Sequence, residues 1–413
     1  MKNFVLIILS CFTLPVVAAD SPFIGSTNKD TYVYNNMQDQ HIEASISKDT
    51  KIEVLKRYPH GNKVQFGNQF GFIKHSDVTY YSGIDYKIKI KTGLDDILNI
   101  NDMKYVVVQD DTPIFEQPTD NASILGTIKG GIRYPSRSIL LPSLSFDQSW
   151  RAVKVAGLYG YVKYGKTLQP DFGVPVITYH HILKDTDNKY FKHTSTTTSD
   201  TVFHRQMKYL HDNGYTTISA QDLYAYLTMK GNIPAKAVLL TFDDGLQSVY
   251  RYAYPILKTY KQKATIFVIS SRVKKSPGSW DPNSLEFMSS SELANSRDVF
   301  EIESHSHFLH RYDDNNDQPI IYRRNYHNIF KDIIVSKIKL KRYNTVNYFA
   351  YPFGAYTKTA ASALHNAGIK MAFTTIDGKV KPTDNLLLLK RLYVLRTDPE
   401  HAFAQKIENI PTH

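Results

Sequence analysis

Apolar and polar positions change rhythm near residue 170. Up to that point apolar residues come in short bursts, alternating or nearly so, with turn residues between them. Thr31–Tyr34, Lys51–Leu55 and Lys63–Phe66 form one set, and Thr112–Phe115, Ser123–Ile128 and Trp150–Val155 form another. Bursts of this kind predict β-strands. The two sets also end alike, with Gly71–Lys74 (GFIK) and Gly160–Lys163 (GYVK) each following a Lys-Val strand. The pattern therefore predicts two small all-β modules, residues 20–92 and 93–170, with Ile139–Phe146 as an insertion loop in the second.

From Asp171 onward the apolar runs become continuous. Val174–Tyr179, Ala237–Phe242, Ala264–Ile269, Val299–Ile302 and Val346–Tyr351 read as strands buried on both faces, as in a parallel sheet. Between them, residues 202–213, 246–261, 322–342 and 357–367 carry helical periodicity. In the third of these Tyr326, Ile329, Phe330, Ile333, Ile334 and Ile338 share one face. Gly214 and Gly368 stand where a helix C′ residue is expected. Alternating strands and helices over residues 171–413 predict an α/β fold, either a (β/α) barrel or a doubly wound sheet.

The first nineteen residues have a different pattern again. Lys2 precedes an apolar run from Phe4 to Val17, and Val17-Ala18-Ala19 offers a small-residue cleavage site. This is the layout of a secretory signal peptide cleaved between Ala19 and Asp20. The run is short for a membrane span and Pro15 interrupts it; no later stretch reaches ~18 apolar residues. The expectation is a protein of the periplasm or the extracellular envelope, without a stable membrane span. The only cysteine, Cys11, lies in this leader. That excludes an intramolecular disulfide framework, a cysteine-rich zinc site and a cysteine nucleophile in a folded core.

Chemistry gathers at four predicted strand ends. Thr241–Gly245 (TFDDG) brings two adjacent carboxylates, and Glu303–His310 (ESHSHFLH) brings three histidines. Tyr179-His180-His181 and Tyr351-Pro352-Phe353-Gly354 complete the group. In α/β barrels the C-terminal strand ends form the functional face, so these clusters can converge. Asp243 and Asp244 alone would suit the cap of the following helix, whose first turn favours anions. The histidines shift the balance toward a metal site.

These motifs resemble the polysaccharide deacetylase family, the NodB-homology or carbohydrate esterase family 4 enzymes, over Val174 to the C-terminus. The opening Pro175–His180 and the Phe203–Ser219 segment most resemble the branch that deacetylates poly-N-acetylglucosamine, in which the motif order is circularly permuted. The resemblance implies a distorted (β/α) barrel that hydrolyses N-acetyl groups of N-acetylhexosamine units in an envelope glycan. It also implies Asp244, His305 and His310 as ligands of one divalent metal, with zinc first and cobalt, nickel or iron as alternatives. Asp243 takes the position of the general base and His180, ahead of His181, that of the general acid. The backbone N–H of Phe353 takes that of the oxyanion donor. Trp280 and Tyr351 are candidate sugar-stacking aromatics, and His307 stands outside the ligand pattern. Two departures matter: Ala350 occupies the place of the family's motif arginine, and Phe353 replaces a tyrosine. Arg391 is either the substitute for that arginine or a surface residue.

The front modules are similar to a tandem pair of bacterial SH3-like domains, which implies either cell-wall binding or a spacer role. That pair favours peptidoglycan as substrate, whereas the permuted order favours poly-N-acetylglucosamine. The alternative class is a wall-binding scaffold whose barrel has lost activity. The formal charge of +11 calls for an anionic partner at first sight. Residues 20–170 hold 18 Lys/Arg and 16 Asp/Glu, and residues 171–413 hold 31 and 23. The basicity thus belongs to the barrel and fits an enzyme of an envelope polymer, not a nucleic-acid binder.

Overall fold

The computed structural model describes residues 23–38, 40–81, 98–139, 149–313 and 317–411. The expected leader, the 92/93 boundary and most of the Ile139–Phe146 loop lie outside the described residues.

Of the two α/β architectures, the chain adopts the barrel. Seven parallel strands follow one another around a ring: Val176–Tyr179, Leu389–Tyr393, Met371–Asp377, Tyr348–Ala350, Phe300–Ser304, Ala264–Val268 and Ala237–Phe242. The ring closes because Ala237–Phe242 also pairs with Val176–Tyr179, in the register Val176↔Leu239 to Tyr179↔Phe242. Continuous apolar runs are required here, since each strand is covered twice. Ile177 and Tyr179 join Phe203 and Met207 of the Asp200–Asp212 helix in one core cluster, while Val176 joins Leu239, Phe267, Phe373 and Leu389 in another.

Helix starts follow local chemistry. The Ser199 hydroxyl accepts the Val202 N–H at 3.1 Å, and Ser219 with Asp222 and Ser289 with Glu292 form reciprocal capping boxes. In the Tyr326–Leu340 helix the buried positions are Ile329, Ile333, Ser336 and Leu340, whereas Ile338 is exposed. The 246–261 stretch opens as a π-helical turn at Val249–Ala253 before the α-helix Tyr254–Thr259.

The N-terminal region is all-β, and its two strand sets share one core. Val33, Ile52 and Val64 of the first set lie in the same cluster as Val106, Ile114, Val153 and Val162 of the second. Backbone pairing also crosses between them, through Thr127↔Ser45 and Val155↔Phe66. This β region is fastened to the end of the barrel where the strands begin. Ile132–Ile139 pairs with Ile233–Pro234, just upstream of Ala237–Phe242. The Asn232 side chain accepts the Asn68 N–H at 3.0 Å and donates to Phe66 O at 3.2 Å. Arg133 forms a buried ion pair with Asp171, the residue that leads into the barrel.

Candidate active site

The opposite end of the barrel, where the strands finish, collects the motif residues. Three of them stand in left-handed backbone conformation, which costs energy outside glycine: Asp244 (φ 72°), Ser306 (φ 76°) and Phe353 (φ 58°). Each follows the end of a different strand, so the strain sits where the chain turns sharply to present side chains. Gly354 (φ 70°) completes one of these turns, and a Cβ there would lie 2.0 Å from the Thr375 hydroxyl oxygen.

Asp244, His305 and His310 offer one ligand atom each, and these atoms lie within 4.8 Å of one another. Asp244 Oδ1 is 3.5 Å from His305 Nε2 and 3.2 Å from His310 Nε2. His305 Nδ1 lies 2.8 Å from the carbonyl of Ala350. A carbonyl only accepts, so Nδ1 carries the proton and the Nε2 lone pair faces the cluster. Burial drives the His305 imidazole down to about 3 and that of His310 down to about 4, so both are neutral at working pH. Burial likewise pushes the Asp244 carboxyl up to about 6, His180 opposing and Asp243 adding to the rise. Asp244 Oδ1 is buried and has no hydrogen-bond partner. Two neutral imidazoles and an orphaned carboxylate oxygen converging on one point fit a divalent cation of the zinc class.

Asp243 is held differently. Arg391 grips it with two parallel bonds, Nη1 to Oδ1 and Nη2 to Oδ2, both 2.8 Å. Arg391 is fully buried, and its Nε donates to Thr374 O at 2.9 Å. Of the two readings for Arg391, the surface one is therefore excluded. Burial alone would raise the Asp243 carboxyl, but Arg391 and the neighbouring histidines outweigh it and hold it well below the ordinary carboxylate range. His180 Nε2 stands 3.8 Å from Asp243 Oδ2, and its ring stacks with that of Tyr393 at 6.2 Å.

His181 is a core residue instead: its Nδ1 lies 2.6 Å from the Ser248 hydroxyl and its ring rests on Phe191. His307 is not in the Asp244–His305–His310 cluster, and its Nδ1 lies 2.9 Å from the Ser270 hydroxyl. The Phe353 ring covers His310 at 4.2 Å and is covered in turn by Tyr312 at 4.4 Å. Tyr351 requires a correction. It has no exposed surface and lies between Phe349 and Tyr356, so it offers no face to a sugar. Trp280 sits on the loop after Ala264–Val268, and its ring contacts are Tyr252 and Arg251, not the carboxylate–histidine cluster.

One supporting residue carries no motif. Asp332 accepts the N–H groups of His307 (2.8 Å) and Phe308 (2.7 Å), fixing the loop between His305 and His310 from the Tyr326–Leu340 helix. Its only sequence signal is an acidic residue beside the apolar stripe of that helix.

The chain is similar in sequence to known proteins. The sequence pattern of the polysaccharide deacetylase family matches residues 230–372, which span both the carboxylate and the histidine motifs. A poly-β-1,6-N-acetyl-D-glucosamine N-deacetylase of Staphylococcus aureus is 30% identical over 213 residues, 49% of this chain and 69% of the relative. Among solved structures, IcaB from Ammonifex degensii aligns at 27% identity over 58% of this chain and 97% of its own, with a TM-score of 0.49. The Streptococcus pyogenes deacetylase PplD aligns at 23% identity over 58% and 99%, also with a TM-score of 0.49. With carboxylates and histidines assembled as described, and a relative of this identity matched over more than two thirds of its length, this chain belongs to the polysaccharide deacetylase family.

Proposed function

We propose that this protein is a secreted, metal-dependent de-N-acetylase of an envelope polysaccharide, releasing acetate from N-acetylglucosamine units. The observation that carries the reading is the buried, unpartnered Asp244 Oδ1 between two neutral imidazoles, next to an ionised Asp243. Asp244, His305 and His310 would hold the cation, zinc by preference. When bound, such an ion polarises the amide carbonyl and acidifies water.

The chain's own residues supply the remaining steps. Asp243, kept ionised by Arg391, accepts a proton from the attacking water; its low proton affinity keeps it available across the neutral range. The Phe353 N–H donates to the carbonyl oxygen as charge grows there. His180 delivers a proton from Nε2 to the departing nitrogen as the C–N bond breaks, leaving acetate and a free amine.

The named activity of the Staphylococcus aureus relative favours poly-N-acetylglucosamine over peptidoglycan. Among the described residues no helix is long and apolar enough to cross a membrane. The β region, hydrogen-bonded to the far end of the barrel, is read as a pedestal for it, the spacer reading of the two. The test is acetate release from β-1,6-linked N-acetylglucosamine oligomers and from peptidoglycan fragments, side by side. Release from the first set only is expected. Release from neither, with the divalent metal bound, refutes the reading.

A further inference from the structure

Among the described residues the His180 side chain makes no hydrogen bond. Asp243 Oδ2, at 3.8 Å, lies beyond bonding distance and is already held by Arg391. Tyr393 only stacks beside the ring. An imidazole that hands a proton to one particular nitrogen has to be aimed, because a misplacement of about 1 Å can cost a hundredfold in rate. With no bond to the ring itself, that task falls to the backbone that carries His180.

That backbone is tied to the TFDDG segment on both sides of His180. Before it, the Tyr179 carbonyl accepts the Asp243 N–H at 3.0 Å, continuing the parallel pairing of Val176–Tyr179 with Ala237–Phe242. After it, one hydroxyl makes both contacts. Ser248 Oγ lies 2.6 Å from His181 Nδ1 and accepts the Ile182 N–H at 3.4 Å. His181 is buried and its Nε2 has no partner, so Ser248 is its whole polar anchorage. Burial drives this imidazole down to about 4, with His180 adding to the fall, so it is neutral. A serine at the start of a helical turn ordinarily caps it. Ser248 precedes the π-helical turn Val249–Ala253 and makes no cap bond to it. Its buried hydroxyl is spent on the His180 segment instead.

We propose that Ser248 is the positioning residue of the general acid, fixing His180 relative to Asp243 through the His181 imidazole and the Ile182 N–H. The inference rests on the deacetylase reading above, in which His180 protonates the departing nitrogen. Ser248 touches neither substrate nor the reacting atoms and acts only through its two neighbours. The stretch Asp243–Ser248 thus carries the base, one residue of the metal cluster and the anchor of the acid. Base and acid are held to a common piece of backbone, which keeps their spacing without a bond between them.

The experiment is a double-mutant cycle on acetate release from N-acetylglucosamine oligomers by the full chain, with Ser248→Ala, His180→Gln and the two combined. Ser248→Ala should lower kcat by about tenfold, with KM and bound divalent metal unchanged. In the His180→Gln background it should lower kcat no further, because the group it positions is gone. His181→Phe keeps a ring against Phe191 and removes the bond to Ser248. It should behave in the same way, and it replaces Ser248→Ala in the cycle if that variant does not fold. Losses that multiply in the cycle overturn the proposal, since a role in packing alone weakens the enzyme whether or not His180 is present. An unchanged kcat in folded Ser248→Ala, or loss of its metal, overturns it as well. Release by the wild type with multiplying losses removes the positioning role alone. Absence of release by the metal-loaded wild type removes the deacetylase assignment.

Discussion

The two ends of the barrel each hold a buried arginine–aspartate pair, and they are finished differently. At the closed end Arg133 meets Asp171, whose carboxylate also takes the Tyr226 hydroxyl at 2.6 Å and the Gly173 N–H at 2.8 Å. Both oxygens of the Asp171 carboxylate are thus engaged where the β region meets the barrel. At the open end Arg391 occupies both oxygens of Asp243, but beside it Asp244 Oδ1 has no partner and His180 stands just beyond bonding distance. A buried ion pair by itself is weak evidence of function, because such pairs also serve as structural fixtures. What separates the ends is the unmet acceptor: a saturated carboxylate fastens, whereas an orphaned one converging with two imidazoles leaves a place for a ligand.

The sharpest way to break that distinction is Asp244→Ala. Acetate release should fall by at least about a thousandfold, corresponding to several kcal/mol of lost transition-state stabilisation. Divalent metal, counted by elemental analysis of the purified protein, should drop from one per chain to none. Compared between metal-free proteins, the thermal midpoint should hold or rise, since an uncompensated buried carboxylate is removed. A variant that keeps both its metal and its rate would place the site elsewhere.

Next come the pairs themselves. Asp171→Ala leaves Arg133 buried and unpaired, and Arg391→Met does the same to Asp243; each should destabilise by about 3–5 kcal/mol in denaturant unfolding. The two should part in activity. At a temperature where both remain folded, Asp171→Ala should turn over at nearly the wild-type rate and Arg391→Met should not. The closed-end pair also sets a pH dependence. Burial opposes ionisation of Asp171, but Arg133, Tyr226 and the Gly173 N–H outweigh it and hold its carboxyl below the ordinary range. The native state then binds fewer protons than the unfolded one around and below pH ~4, the unfolded carboxylate value. Its contribution is present above that pH and is lost as pH falls through the lower folded value. Asp171→Asn should therefore be less stable at neutral pH and show a flatter loss of stability on acidification, read from unfolding midpoints between pH 6 and ~3.

His180→Gln is a smaller test of the open end. Removing the proposed general acid should cost on the order of a hundredfold in turnover, with metal content and unfolding midpoint unchanged. If metal were lost as well, His180 would belong with the ligands. A substrate whose leaving amine needs little protonation should lose less, which separates proton delivery from a role in shaping the site.

How much of this contrast was legible in the sequence depends on where each residue's partner lies. TFDDG and the histidine motif are local, and each stands at the end of an apolar run, so the open end could be assembled from strand ends alone. The closed end could not. Arg133, Asp171, Tyr226 and Asn232 are scattered over a hundred residues, and nothing in their surroundings marks them as partners. Arg391 shows the same difficulty at the active site. Leu389–Tyr393 reads LKRLY, with two cations in the middle, and its apolar content is too low to announce a buried barrel strand. It is buried because Asp243, 148 residues earlier, neutralises it. Tyr351 erred in the other direction: an aromatic inside a motif reads as a sugar platform, but packing between Phe349 and Tyr356 decides its exposure.

The smallest test stays within the β region and asks whether burial, rather than opposite charge, gives the Arg133–Asp171 pair its weight. Lys129 and Asp111 form an ion pair on the surface of the same region, with side chains 41% and 53% exposed. Water screens that pair, and two mobile side chains lose freedom in making it, so Lys129→Ala should cost no more than about 1 kcal/mol. The cost should shrink further at ~1 M salt, where the screening length is about 3 Å. Asp171→Ala should keep most of its cost under the same salt, because the ions do not reach a pair enclosed between the β region and the barrel. Equal salt sensitivity of the two variants would mean that water enters the junction, and the β region would then be a hinged attachment and not a pedestal.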